Sequence, residues 1–158
     1  MPGRSVIRTV HLVAGVVGFL TILTFWSATV ISELLGDHAA IAAVKQAILW
    51  GMIVLIPTMA TVGGTGFNLG GGSTAPVVVV KRRRMPVIAL NGFLVLVPSA
   101  FFLAGRAAAG QFDGAFAIVQ TIELTAGAGN LALMGLNIRD GLRLTAKRRR
   151  APAAPRTA

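Results

Sequence analysis

Apolar residues run along this chain in four long blocks, separated by short polar or glycine-rich stretches. The blocks cover about residues 7–35, 39–62, 86–104 and 115–136. A bilayer core of about 30 Å takes about 20 mostly apolar residues as a helix, and each block has roughly that length. None shows the strict alternation of a membrane barrel strand. The pattern predicts an all-α polytopic membrane protein built as a four-transmembrane-helix bundle. Gly36, Asp37 and His38 form a short turn between the first two spans. Residues 63–84 read as a longer loop and residues 105–114 as a short one. Residues 1–146 then make one transmembrane domain. Residues 147–158, rich in Arg, Pro and Ala, read as a disordered basic tail.

Within the blocks, the polar positions fall into helical stripes. The fourth is clearest: Gln120, Glu123, Gly127, Asn130, Met134 and Asn137 are spaced alternately by three and four. That spacing places them on one helix face, which is expected to point into the bundle. In the first block His11, Gly15, Gly18, Ile22, Phe25, Thr29 and Ser32 share a face, and Gly15 and Gly18 allow close helix approach. Lys45, Leu49, Met52, Ile56, Met59 and Gly63 do so in the second. Asn91, Val95, Pro98 and Phe102 do so in the third. Pro57 and Pro98 are expected to kink their helices or loosen a turn.

Composition sharpens this picture. Hydrophobic residues make up 54% of the 158 and charged residues 13%, where a soluble domain carries about a quarter charged residues. An ordinary soluble domain and a disordered chain are both excluded. Arg4 and Arg8 ahead of an apolar stretch suggest a signal peptide at first sight. The stretch from Val10 to Ile31 is 22 residues long, and no small-x-small cleavage site follows it, so it reads as an uncleaved first span. Cysteine is absent, which removes disulfides, thiol catalysis and thiolate metal sites.

The net charge of +10 is unevenly placed. Thirteen of the 15 basic residues fall at the N-terminus, in residues 81–84, or beyond residue 138. By the positive-inside rule both termini are cytoplasmic, which gives an N-in/C-in topology. The runs Lys81, Arg82, Arg83, Arg84 and Lys147, Arg148, Arg149, Arg150 lie just cytoplasmic of spans. They are expected to fix topology and touch anionic lipid headgroups, and nucleic acid is not an expected partner. The glycines at 63, 64, 66, 70, 71 and 72 match neither a P-loop nor a dinucleotide fingerprint, so they read as a flexible linker. The uncleaved first span and the composition point to a bacterial inner membrane.

Two intramembrane clusters are the candidate sites, because polar groups in lipid are costly and often functional. From the outer side, Glu123 lies roughly 12 Å deep and Lys45 roughly 9 Å deep by the helical rise, with Gln46 and Gln120 nearby. They are placed to form a buried ion pair, which either locks helices or handles a proton or ligand. On the inner half, His11, Asn91 and Asn130 form the second cluster, joined by Met59 and Met134. No catalytic set and no metal-ligand motif emerges, so enzymatic chemistry is not expected.

Arg8-Thr9-Val10-His11, followed by Gly15, resembles the first helix of b-type cytochromes and of copper-resistance membrane proteins. The likeness covers about ten residues of one span. It implies haem b with His11 as a ligand. His38 belongs to the outer turn, so the second ligand would be Met59 or Met134. Without haem no cofactor is expected. Three functions stay open: an accessory or assembly subunit of a larger membrane complex or a homo-oligomer, a haem-binding protein, or a proton or small-solute carrier using Glu123.

Overall fold

A computed structural model describes residues 3–72 and 74–150. Five α-helices follow in chain order: α1 (Arg4–Leu35), α2 (His38–Gly70), α3 (Pro76–Asn91), α4 (Val97–Ala108) and α5 (Gly114–Arg150). A π-helical segment, Gly92–Leu96, joins α3 to α4 without a break. No strand occurs among the described residues. Four continuous helical rods result, and each is long and apolar enough to cross a membrane. Short connections make neighbouring rods antiparallel, so α1 and α3–α4 run one way and α2 and α5 the other. Arg4, Arg8, residues 81–84, Arg139 and Arg143 gather at the end where the chain starts. The turns at 36–37 and 109–113 mark the far end.

Glycines set the closest helix pair. Gly18 of α1 faces Met59, Gly51 of α2 faces the Phe25 ring, and Gly66 of α2 faces the His11 ring. Small residues let helix backbones approach, and dispersion then acts over the whole seam. On the other side of α2, Ile41 packs with Leu103, Ala107 and Phe116, and Ile48 and Met52 pack on Ala100. Nearer the termini end, Ile22, Ile88 and Met134 form the third apolar cluster. Side chains such as Trp50, Phe93, Leu94 and Ile118 stay exposed around the outside, as lipid-facing positions of a membrane bundle do.

Residues 63–84 are not a loop. Helix α2 continues to Gly70, α3 begins at Pro76, and only a short turn separates them. A helical glycine costs about 1 kcal/mol relative to alanine, but packing overrides that here. Gly66 makes room for His11, and a side chain at position 70 would meet Val78 and Arg82. Gly72 has φ of +74°, the left-handed conformation that favours glycine in a turn. Proline then suits the first turn of α3, where its missing N–H costs nothing. The four basic residues 81–84 therefore sit on a helix. Helical backbone also runs through residues 147–150, into the segment expected to be a tail. Residues 151–158 of that tail lie outside the described residues.

Two stripes differ from the expected ones. In α2 the inner face carries Ile41, Lys45, Ile48, Met52 and Val62, while Ile56 is exposed. The inner positions follow the 3.6-residue turn, and Leu55, not Ile56, packs inward. In α4 the buried positions are Ser99, Ala100, Leu103, Ala104 and Ala107, so the inner face begins one residue after the expected Pro98 and Phe102. The π segment supplies the reason. The Val97 N–H bonds to the Gly92 carbonyl, five residues back, so one extra residue enters the turn and rotates everything after it. Pro98 has no N–H for the usual bond to residue 94, and the altered register just before it accommodates the loss.

Candidate functional site

The far half of the bundle holds an ion pair between α2 and α5. Lys45 Nζ donates to Glu123 Oε2 at 2.5 Å, with side chains 1% and 13% exposed. Gln120 Nε2 donates to the same oxygen at 3.2 Å. The fourth stripe puts Gln120 and Glu123 on one α5 face, and α2 runs parallel to α5, so Lys45 lies level with Glu123. Gln46 does not join them. Its Nε2 donates to the Ala104 carbonyl at 3.1 Å and ties α2 to α4.

Glu33, in the last turn of α1, belongs to the same neighbourhood. It lies within electrostatic range of Lys45, Glu123 and His38, and its Oε1 is buried without a partner. The signal for it was present: residue 33 stands one turn beyond Thr29 on the buried α1 stripe. At the far surface, Arg106 bonds to Asp113, and Asp113 also accepts from the Phe116 N–H, capping α5. The Arg106 hydrogen bond, then the Phe116 N–H, hold the Asp113 carboxyl below the usual carboxylate range. His38 stacks on Phe112 beside this turn, with ring centroids 4.0 Å apart.

The inner cluster divides in two. Asn91 Nδ2 donates to Asn130 Oδ1 and to the Ala126 carbonyl, both at 2.9 Å. Asn130 Nδ2 donates back to the Ile88 carbonyl at 3.3 Å. Each amide thus reaches the backbone of the other helix, and α3 and α5 are clamped reciprocally. His11 stands apart, with Nδ1 2.9 Å from Thr65 Oγ1 on α2. Thr65 spends its own hydroxyl proton on the Thr61 carbonyl at 2.5 Å, so its oxygen accepts from His11 Nδ1–H. That fixes the tautomer and leaves the lone pair on Nε2.

Such a histidine has the chemistry of a metal or haem ligand. The proposed methionine partners do not fit opposite it. Met59 packs against Gly18, seven residues or about 10 Å further along α1. Met134 lies in the apolar cluster with Ile22 and Ile88. A haem held between His11 and either methionine is not supported by this arrangement. Any haem reading rests on His11 alone.

A further polar contact escaped the sequence reading. Arg84 on α3 donates to Asp140 Oδ2 at 2.7 Å and to Asn137 Oδ1 at 3.4 Å, both on α5. Asn137 closes the fourth stripe, but Asp140 lies among basic residues, where its partner is not readable from spacing. Trp26 was missed as well. Its Nε1 donates to the Leu124 carbonyl at 3.0 Å, and Gly127 provides the slot for the indole.

Compared with known protein families, curated proteins and solved structures, the chain matches none.

Proposed function

We propose that this protein is a small integral protein of a bacterial inner membrane, with both termini in the cytoplasm, acting as a non-enzymatic accessory or assembly subunit. The observation that carries this reading is the use made of its intramembrane polar groups. Lys45 with Glu123, Gln46 with Ala104, Asn91 with Asn130, and Arg84 with Asp140 each tie one helix to another. A bundle built this way is a rigid packing unit with an apolar outer surface. Clustering of the basic residues at the termini end supports the N-in/C-in orientation. Arg82 and Arg83 are exposed there, placed to meet anionic lipid headgroups.

Among the small residues, Gly18 and Gly127 are used inside the bundle, whereas Gly129 opens outward with no neighbour. Gly129 is therefore a position on α5 where another helix can approach closely. The test is native mass spectrometry of the protein released from its own membranes. A reproducible complex heavier than the 16.4 kDa chain, lost in Gly129→Leu while the bundle stays folded, is the expected result. A chain that always emerges as a monomer overturns the reading.

A second reading, haem binding through His11, is favoured by the fixed tautomer and the lone pair on Nε2. Its test is the visible spectrum of protein purified from haem-supplied cells, oxidised and then dithionite-reduced. On this reading a Soret band with sharp reduced α-bands appears and is lost in His11→Ala. A flat spectrum removes the reading.

A further inference from the structure

Among the described residues, two buried oxygen atoms in the far half of the bundle have no hydrogen-bond donor: Glu33 Oε1 and Gln120 Oε1. They lie within about one helical turn of each other along the bundle. Trp26 of α1 bonds to the Leu124 carbonyl of α5, and these two helices are antiparallel. Moving two turns outward from Trp26 reaches Glu33, and the same step on α5 runs from Leu124 back past Gln120. That step ends at Ala117, so Glu33 starts about one turn outward of Gln120. Helical side chains lean toward their own N-termini, so in this antiparallel pair Glu33 leans inward and Gln120 outward, toward each other. Glu33 also lies within electrostatic range of Glu123 and Lys45.

The orientation of the Gln120 amide is not arbitrary. Its Nε2 donates to Glu123 Oε2, and flipping the amide would set oxygen against carboxylate oxygen. Oε1 is thus held as an acceptor on a side chain only 5% exposed. Unpaired buried acceptors are costly, and more so when charged. Lys45 cannot serve both carboxylates equally, since it is drawn onto Glu123 at 2.5 Å. With both glutamates ionised, the site would hold two negative charges against one positive charge in a largely apolar medium. One added positive charge removes the imbalance.

We propose that Glu33 binds a proton, and that the resulting O–H donates to Gln120 Oε1 directly or through one water, which makes the outer half of the bundle a proton-binding site. The proton comes from a hydronium ion at the far surface, which leaves as water. One O–H bond forms on the carboxylate, and no electrons are transferred. Protonation turns an orphan acceptor into a donor and supplies the missing partner for the other orphan. An alkali cation would meet the Lys45 ammonium at short range, so a proton suits the site better. The charged or titratable groups around Glu33 are Lys45 and His38 from α2 and Glu123 from α5. On α4, Arg106 is engaged by Asp113. This inference goes beyond the packing role and does not depend on it.

The chain has two glutamates, Glu33 and Glu123, which makes the test selective. The full chain is placed in lipid nanodiscs with 13C-carboxyl glutamate, and its infrared spectrum is followed as pH is raised from mildly acidic to mildly alkaline. The expected result is an isotope-shifted carboxylic-acid stretch at neutral pH. It should convert to carboxylate as pH rises, vanish in Glu33→Gln and persist in Asp37→Asn. Glu33→Gln keeps a neutral side chain with an N–H donor there, and circular dichroism verifies that it folds. Absence of an isotope-shifted acid band in the wild type overturns the proposal whether or not any variant folds. A band that survives in Glu33→Gln and disappears in Glu123→Gln places the proton on Glu123 and also overturns it.

Discussion

Replacing Lys45 by Met is expected to destabilise the bundle by about 3–5 kcal/mol, and Glu123→Gln alone to cost somewhat less. Breaking a buried ion pair from one side leaves an uncompensated charge, and that residue carries most of the penalty. Lys45 is 1% exposed and Glu123 13%, so neither orphan reaches bulk water without moving its helix. With Lys45 gone, Glu123 keeps only the Gln120 amide. With Glu123 neutral, Lys45 retains a carbonyl oxygen as acceptor, which is why that change costs less. The double variant Lys45→Met, Glu123→Gln should recover much of the loss, because two neutral side chains of similar volume need no desolvated charge. Equilibrium unfolding of the four proteins in mixed micelles with increasing dodecyl sulfate gives the coupling energy directly. A double variant as unstable as the sum of the singles would mean that the two charges act independently, and that the contact does not lock α2 to α5.

Much of the site was legible because a helix writes its inner face at fixed spacing. Gln120, Gly127, Asn130 and Met134 are buried along one side of α5, and the three-and-four spacing shows that side without knowledge of the neighbours. Lys45 and Glu123 could be paired by depth, since helical rise converts residue number into distance from the surface. Depth alone does not say which neighbour a side chain will meet. His11 lies nearer the termini end than Asn91, beside Gly66 and within range of Lys81, and bonds to Thr65 on the α1–α2 seam, while Asn91 bonds to Asn130 on α5. Gln46 is one residue from Lys45, a rotation of about 100°, and so reaches α4 instead.

Other features had no local signal. The π segment shifts the α4 face by one residue, and only the complete hydrogen-bond register reveals it. The glycines of residues 63–70 suggest a loop because their intrinsic preference is for one. They are helical all the same: Gly66 and Gly70 face α1 and α3, while Gly63 and Gly64 lie against open space within the same continuous helix. Arg84 and Asp140 are 56 residues apart and embedded in charge runs that look solvated. Their pairing depends on how α3 and α5 cross, which no sequence spacing encodes.

The glycine at position 51 should prove nearly irreplaceable. A Cβ there would run into the Phe25 ring of α1, and the ring is hemmed in by Ile48, Met52 and Ala100. Alanine is ordinarily the better helix former by about 1 kcal/mol, so Gly51→Ala would stabilise an open position. Here the contact forces either the ring or the α1–α2 seam to move, and overpacking of a close contact costs about 1–3 kcal/mol. The expected result is a net loss within that range for Gly51→Ala and a larger one for Gly51→Val. Gly63→Ala and Gly64→Ala, where an added methyl meets open space on the same helix, should be neutral or slightly stabilising. Truncating the ring in Phe25→Leu should relieve Gly51→Ala, so the double variant is more stable than additivity predicts. The same dodecyl sulfate titration measures the wild type, these variants and Phe25→Leu alone. Equal effects of alanine at positions 51 and 64 would show that helix propensity, not the Phe25 contact, governs α2, and that the seam between α1 and α2 is looser than its glycines imply.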